Sequence, residues 1–314
     1  MPVCRSDLFF EPDEKENQRG EYKAMNYERF KRKMAEQILE FLPEEKKNWT
    51  VRMEKVTKVN RVLDGMVLMP PQNGQDAVPG LTFYMEEYYE MFRKGKPLEE
   101  ILQYIADLTE ECVPPPQICS FMKEIRTMRH QIVMELVHKE RNQQMLRTMP
   151  HRDFLDLAVI YRILFFDEKR GYFSGAVTNE IMKELEMTEE ELYRTAQDYM
   201  PEELPFTVEN FGNRVLLLSN CQKMYGASVL LYPQVLDSAC EVLGGNLYIT
   251  PVSGDQVGAE LENPEILQER QDQIWNLYHK DDDPEDLLSD QIYLYRWHSG
   301  QVVPAADEEG GMIQ

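Results

Sequence analysis

The chain has 314 residues, of which 42% are apolar, and a formal net charge of −22 at pH 7. This length and apolar content suffice for a buried core and predict two domains of about 120 to 150 residues each. No stretch approaches the roughly 20 apolar residues of a membrane helix, the first ten residues lack a secretory-signal layout, and the five cysteines are scattered, so a cytoplasmic protein with reduced thiols is expected.

The charge is concentrated in the C-terminal half. Residues 1–150 carry 23 Lys and Arg against 25 Asp and Glu, whereas residues 151–314 carry 11 against 31. A surface this acidic repels nucleic-acid phosphates and anionic membranes, and it attracts basic proteins at a rate that falls as salt rises. The charge distribution therefore predicts a basic protein partner and no direct binding to nucleic acid or membrane.

The first predicted domain spans residues 25–113. Residues 1–24 are charged and lack an apolar face, which predicts a disordered extension, or an upstream misassigned start with Met25 as the true first residue. Apolar residues at helical spacing and short alternating runs predict the elements of this domain. They are a helix at 27–42, strands at 49–58, 60–69 and 81–84, with Asp64-Gly65 as a turn, and helices at 86–92 and 98–111.

Residues 114–149 are predicted to form a helical connector that begins at the triple proline. Helical spacing covers 118–147, although 132–137 also fits a strand, and Pro150 ends the run. His130 and His138 lie eight residues apart near one face of this predicted helix. Such a pair could supply two metal ligands, but it is more typical of two surface histidines.

The second predicted domain spans residues 150–262, and residues 263–300 add a helix, an acidic stretch and a short strand before a disordered tail at 301–314. Thr188 followed by Glu191 is a capping-box signature, and Gly244-Gly245 ends a helix. The predicted class is α+β, with two domains that each pack helices on a small, mostly antiparallel sheet. The predicted segments are strands at 154–166, 215–218, 227–232, 247–251 and 292–297, helices at 179–186, 188–199, 234–243 and 264–278, and a turn at 171–175.

Several segments resemble one known family. They run in order from about Asn26 to Gly300 and include Val62-Leu63-Asp64-Gly65, Tyr88-Tyr89, residues 150–158, residues 226–233, residues 247–251, and Leu288-Ser289-Asp290 before Tyr293-Leu294-Tyr295. The chain is similar in them to an uncharacterised family of clostridial, often gut-bacterial, proteins described as a domain of unknown function (family number 5688). The resemblance implies no activity. Relatives often place a His and a Glu after the strand at 247–251, whereas this chain has Ser253-Gly254-Asp255-Gln256, so no family histidine is predicted there.

The triplet His151-Arg152-Asp153 resembles the catalytic loop of protein kinases. That loop needs an Asn five residues after the Asp to hold metal, and Ala158 stands there instead. A glycine-rich loop and a DFG-type triplet are also absent from the sequence. The triplet is better explained as a turn before a buried segment, with His151 or Asp153 as a capping side chain.

Sequence motifs for metals and cofactors are absent as well. Cys112 and Cys119 have no second pair, and there is no H-E-x-x-H motif. The acidic stretch from Asp281 has Asp286 in place of the glycine that a calcium loop needs, and Ile292 in place of its bidentate glutamate. Nucleophile elbows, phosphate loops and dinucleotide fingerprints are missing. The sequence therefore predicts neither a cofactor nor a metal site.

Two functions are consistent with these patterns. The first is a non-enzymatic binding or regulatory protein whose acidic half docks a basic partner. In a sharper version of this hypothesis, the protein mimics nucleic acid and inhibits a nucleoprotein. The second is a hydrolase or nucleotide-processing enzyme with a site built from His151, Asp153, Asp156 and residues remote in sequence. A concave pocket around these residues would favour the enzyme, and a convex acidic face would favour binding. The candidate docking residues are Asp281, Asp282, Asp283 and Asp286 with Tyr293, Tyr295 and Trp297, although the aromatic residues could instead pack the tail onto the second domain.

Overall fold

The chain divides into two compact units. A computed structural model describes residues 25–71, 80–111, 125–168, 171–211, 215–232, 234–280 and 288–305. The first unit contains residues 1–58 and 62–124, and the second contains residues 59–61 and 125–314. Each unit combines helices with antiparallel sheet, which confirms the predicted α+β class. Within these described ranges, no helix has the length and apolar character needed to cross a membrane.

The elements of the first unit agree closely with those predicted. A short 3₁₀ segment at Glu44–Lys46 follows the first helix, and the sheet has the order β1-β2-β3. The elements are α1 (Tyr27–Phe41), β1 (Thr50–Lys58), β2 (Arg61–Met69), β3 (Leu81–Tyr84), α2 (Met85–Arg93) and α3 (Leu98–Glu111).

Asn26 caps the start of helix α1, and its side-chain oxygen accepts a hydrogen bond from the Arg29 backbone N–H at 3.0 Å. Its apolar residues Phe30, Met34 and Ile38 recur at helical spacing and are fully buried in a core shared with β2 and α3. Burial of each such side chain stabilises the unit by about 1.5 to 3 kcal/mol. The periodicity that predicts the helix therefore also marks its core-facing side.

The predicted turn at Asp64-Gly65 is wrong, because both residues lie inside the continuous strand β2. The chain reverses at Asn60, which has a positive φ of 62°. A Cβ atom on Gly65 would lie 2.7 Å from Val56 Cγ2, so close packing explains the glycine. The Asp64 carboxylate is buried and accepts from Lys31 Nζ at 2.9 Å.

The second unit is richer in strands than predicted. Two 3₁₀ segments, Ile125–Met128 and Gly226–Leu231, accompany its helices and strands. The helices are α4 (Gln143–Leu146), α5 (Asn179–Glu184), α6 (Glu189–Glu203), α7 (Val235–Leu243) and α8 (Pro264–Lys280). The strands are β4 (Ile132–His138), β5 (His151–Phe154), β6 (Leu157–Asp167), β7 (Gly171–Ala176), β8 (Phe206–Asn210), β9 (Val215–Asn220), β10 (Leu247–Ser253), β11 (Gln256–Leu261), β12 (Tyr293–Arg296) and β13 (Gln301–Pro304).

These strands form two antiparallel sheets. In the four-stranded sheet, the long central strand β6 pairs with β4 on one side and with β5 and β7 on the other. The six-stranded sheet has the order β13-β12-β10-β11-β9-β8. In the first sheet, the register places His138 opposite Leu157, at the end where β5 turns into β6.

Part of the predicted helical connector is a strand. β4 is buried along almost its whole length and pairs with β6, which confirms the alternative at 132–137 and makes the helix prediction wrong there. A fully buried strand has no polar face, so its apolar spacing also fits a helix. Eight residues of extended chain span about 25 Å, so His130 lies too far from His138 to share an ion with it.

Other predicted elements are also wrong. The strand predicted at 227–232 is wrong, because residues 226–231 form a 3₁₀ segment, and residues 171–175 belong to β7 instead of a turn. A short buried apolar run does not distinguish strand from helix. A Cβ atom on Gly226 would lie 2.1 Å from the Asp255 carbonyl oxygen, so close packing explains the glycine at the start of this segment. Strands β5, β8 and β11 were not predicted, and β5 shows that the turn expected at His151-Arg152-Asp153 is wrong. Strand β13 lies in the tail that was expected to be disordered.

Candidate functional site

His138 and Asp156 lie next to each other at one end of the four-stranded sheet. His138 is the last residue of β4, and Asp156 occupies the turn between β5 and β6. The pairing of His138 with Leu157 brings the imidazole beside this turn. Asp290 reaches the same place from the segment before β12, so that one ligand atom from each of the three side chains lies within 4.8 Å of the others.

Two neutral hydroxyl groups hold the Asp156 carboxylate. Ser289 Oγ donates to Oδ2 at 2.6 Å, and the Tyr293 hydroxyl donates to Oδ1 at 2.5 Å. Both donors are fully buried. A carboxylate that accepts a hydrogen bond at each oxygen has little freedom to rotate, so these bonds set the direction in which Asp156 faces its neighbours.

The turn that carries Asp156 has an unusual backbone. Leu155 has a φ of 57°, a left-handed conformation that is costly for a residue with a branched side chain. The Asp156 carbonyl accepts from the Lys139 backbone N–H at 3.0 Å, which ties the turn to the end of β4. Backbone strain of this kind is concentrated at functional sites, where the surrounding structure maintains it.

These residues line a pocket of about 720 Å³. Its wall combines carboxylates with cationic and imidazole side chains, contributed by His138, Lys139, Arg147, His151, Asp156 and Asp290. This volume lies within the range of small-molecule sites, and the pocket is a half-open, polar cleft. Lys139 and Arg147 are cations that can contact an anion, and Lys139 is paired with Asp153 at 2.5 Å. Three carboxylates, those of Glu140, Asp156 and Asp290, line the same wall.

His151 presents a basic nitrogen at this pocket. Its Nδ1 lies 3.0 Å from the Met149 carbonyl oxygen. A carbonyl oxygen only accepts hydrogen bonds, so the ring proton of the neutral imidazole lies on Nδ1, and Nε2 keeps its lone pair. A histidine in this form can take a proton from a substrate or from water.

The three predicted catalytic residues do not all meet. His151 and Asp156 line the same pocket, whereas Asp153 is exposed on β5 and forms an ion pair with Lys139 at 2.5 Å. Sequence reasoning missed His138 as a pocket residue, because it was assigned to a helix with His130. It also missed Asp290, although Leu288-Ser289-Asp290 is one of the segments that carry the family resemblance.

The predicted docking residues have different environments. Asp281, Asp282, Asp283 and Asp286 lie outside the described residues. Tyr293 and Tyr295 are buried, and the Tyr295 hydroxyl donates to Asp237 at 2.8 Å, so neither ring is an exposed anchor. Trp297 is half-buried and stacks on His298 with ring centroids 4.6 Å apart. The aromatic rings at 293 and 295 are therefore packed inside the second unit.

The acidic start of α6 is balanced within the chain. Arg152 contacts Glu189 at 3.0 Å and Glu190 at 2.5 Å, and its guanidinium lies 3.9 Å from the Tyr193 ring centroid. The hydrogen bond from Arg152 lowers the pKa of the Glu190 carboxyl. These acids have a cationic neighbour of their own, so they need no external cation to relieve their mutual repulsion.

Comparison with known proteins assigns the chain to a family without assigning a chemistry. No curated protein and no solved structure matches it. The model of a family of unknown function, DUF5688, matches residues 27–216 and 212–297. These segments include His138, Asp156 and Asp290 and cover well over half of the sequence. The chain therefore belongs to the family DUF5688.

Proposed function

We propose that the second unit is a hydrolase of small phosphate-bearing molecules, nucleotides among them. The observation that carries this proposal is the joint presence of His151, Asp156, Lys139 and Arg147 around one pocket of about 720 Å³. Concave clustering of this kind is typical of catalytic sites. The sequence left a hydrolase as one of two alternatives, and the pocket supports that alternative.

The residues have separate roles in this proposal. Arg147 binds the phosphate oxygens, and Lys139 does so by exchanging its ion-pair partner Asp153 for the phosphate. His151 Nε2 accepts a proton from a water molecule while the water oxygen attacks phosphorus, and the bond from phosphorus to the leaving oxygen breaks. The protonated His151 then returns that proton to the leaving oxygen. Asp156, held by Ser289 and Tyr293, orients the water or the ion that accompanies it.

The test is an assay of the purified full chain against three substrate types: a phosphomonoester, a phosphodiester and a nucleoside triphosphate. A general base contributes about 100-fold or more to a rate, so His151→Gln should reduce kcat by at least about that factor. His130→Gln is the matched control, because His130 is also exposed in the second unit but lies outside the pocket wall. Absence of turnover with all three substrates, or equal losses in the two variants, would refute the proposal.

A second candidate function is docking of a basic protein. In its sharper form the acidic surface mimics nucleic acid and occupies the nucleic-acid-binding surface of that partner. The supporting observation is the charge of residues 151–314, with 11 Lys and Arg against 31 Asp and Glu. Because the acids at the start of α6 are paired, this candidate depends on the stretch at 281–286. Partners captured from a lysate should bind less tightly as salt rises, and less tightly to a variant with Asp281, Asp282, Asp283 and Asp286 changed to Asn. Binding that ignores both changes, or direct binding of duplex DNA or single-stranded RNA, would exclude it.

A further inference from the structure

We infer that His138, Asp156 and Asp290 bind a divalent transition-metal ion such as Zn²⁺ or Mn²⁺. One imidazole and two carboxylates form a donor set that these ions accept, and three protein ligands leave positions open for water or substrate. Mg²⁺ and Ca²⁺ are less suitable, because they prefer all-oxygen coordination. The inference concerns the pocket of the proposed function, and only the catalytic use of the ion rests on that function.

The spacing of the three side chains suits a shared ion. Donor atoms at about 2.1 Å from one metal ion lie no more than about 4.2 Å from each other. The ligand atoms of His138, Asp156 and Asp290 already lie within 4.8 Å of one another. A small rotation of the exposed Asp290 side chain therefore closes the group around an ion, while Asp156 keeps the orientation set by its hydrogen bonds.

The charges of the group also favour a cation. The two hydrogen-bond donors to Asp156 are neutral hydroxyls, and within the described part of the chain neither Asp156 nor Asp290 forms an ion pair. The Asp156 carboxylate is partly buried without a counter-charge, which is costly. The exposed Asp290 carboxylate adds a second negative charge within 4.8 Å, and the two repel each other. A bound divalent ion removes both costs.

His138 offers a nitrogen to the same space. The side chain lines the pocket although the residue is only 9% exposed, and its one hydrogen bond among the described residues is accepted by Nδ1 from the Arg141 backbone N–H at 3.4 Å. This contact is long and therefore weak. Coordination through Nδ1 displaces this contact, and coordination through Nε2 places the ring proton on Nδ1 and breaks it. In either case the Arg141 amide reports on binding at His138.

Neighbouring residues already hold one of the proposed metal-binding carboxylates by hydrogen bonds. Metal-binding carboxylates are commonly held by hydrogen bonds from neighbouring residues, and loss of such a partner weakens metal binding by about 10- to 100-fold. Ser289 and Tyr293 hold Asp156 in this way. The segment that supplies the ligand Asp290 thus also fixes the orientation of the ligand Asp156.

The test is calorimetric titration of the chelator-treated full chain with ZnCl₂ and with MnCl₂, without substrate. We expect one ion per chain, together with a shift of the Arg141 amide resonance on addition of zinc. His138→Gln and Asp290→Asn should each weaken binding by at least about tenfold, and Ser289→Ala by about tenfold. Asp153→Asn is the matched control, because its carboxylate is exposed nearby but is not a ligand, and it should bind like the parent chain.

Three results would overturn the inference: no binding of either ion, binding unaffected by Asp290→Asn and His138→Gln, or binding without a change at Arg141. Binding that is unaffected by these substitutions, or that leaves the Arg141 amide unchanged, would mean that an exposed histidine elsewhere binds the ion. Turnover is measured separately on the same samples. One bound ion without turnover supports the metal site and refutes the hydrolase, whereas turnover by the chelated protein without ion binding supports the hydrolase and refutes the metal site.

Discussion

The Tyr293 hydroxyl donates to Asp156 Oδ1 at 2.5 Å, although 137 residues separate them in sequence. Tyr293 begins β12 of the six-stranded sheet, and Asp156 lies in the β5–β6 turn of the four-stranded sheet. The bond therefore joins the two sheets of the second unit at the pocket. The orientation of the pocket carboxylate depends on how these sheets pack.

Removal of this hydroxyl should destabilise the second unit. Tyr293→Phe leaves the ring in place but deletes a donor to a charged group, for which we expect a loss of about 1.5 to 3 kcal/mol in the free energy of unfolding. The measurement is urea unfolding followed by circular dichroism. Tyr193→Phe is the control, because its hydroxyl accepts only from the neutral Gln197 at 3.1 Å and should cost about 0.5 kcal/mol. Equal losses in both variants would show that the Tyr293 bond is absent in solution.

The first unit should become less stable in acid through Asp64. Burial by itself raises the pKa of the Asp64 carboxyl, but hydrogen bonds from Lys55 and Lys31 outweigh burial and hold the pKa below its usual value. A carboxyl whose pKa is lowered by folding contributes stability that is fully present above its unfolded pKa, about 3.9. That contribution is lost as the pH falls through the lower, folded pKa.

The corresponding measurement is urea unfolding between neutral pH and pH about 2, followed by Trp49 fluorescence in a background with Trp275 and Trp297 changed to Phe. Asp64→Asn should be less stable at neutral pH and should flatten the acid dependence. Glu54→Gln is the control, because Glu54 is an exposed acid on the neighbouring strand β1. An Asp64→Asn curve parallel to that of the parent would contradict the assigned role of Asp64.

The capping box of α6 should contribute measurably to stability. Thr188 Oγ1 accepts from the Glu191 backbone N–H at 3.3 Å, and Glu191 Oε2 accepts from the Thr188 backbone N–H at 2.7 Å. Thr188→Ala should lower the free energy of unfolding by about 1 kcal/mol. The two residues satisfy each other, so the double change to Ala should cost less than the sum of the single changes. Strict additivity would indicate that each residue acts alone.

Truncation to Ala should lower the free energy of unfolding by different amounts at two aliphatic residues of the second unit. Ile249 is fully buried on β10, and Ile249→Ala should cost about 2 to 5 kcal/mol. Leu231 ends the 3₁₀ segment and is only half-buried, so Leu231→Ala should cost less. Thermal and urea unfolding of both variants measure the difference. A larger loss at Leu231 would favour the strand that the sequence predicts at 227–232.

The sequence by itself determined the elements that have a polar and an apolar side. Helix α1 is recognisable from Phe30, Met34 and Ile38, and α6 from Thr188 and Glu191, because caps and one-sided burial leave a local pattern. The α+β class and the family membership follow from such local patterns. Buried runs such as β4 and the 3₁₀ segment at 226–231 lack a polar face, and their local sequence does not distinguish strand from helix.

Only the tertiary structure decided which residues share the pocket. His138, Asp156 and Asp290 come from a strand end, a hairpin turn and the segment before β12, and no spacing in the sequence links them. Strand register places His138 beside Asp156, and packing between two sheets places Ser289 and Tyr293 against its carboxylate. Register and sheet packing arise from burial summed over many residues, so the site becomes visible only once the whole unit has folded.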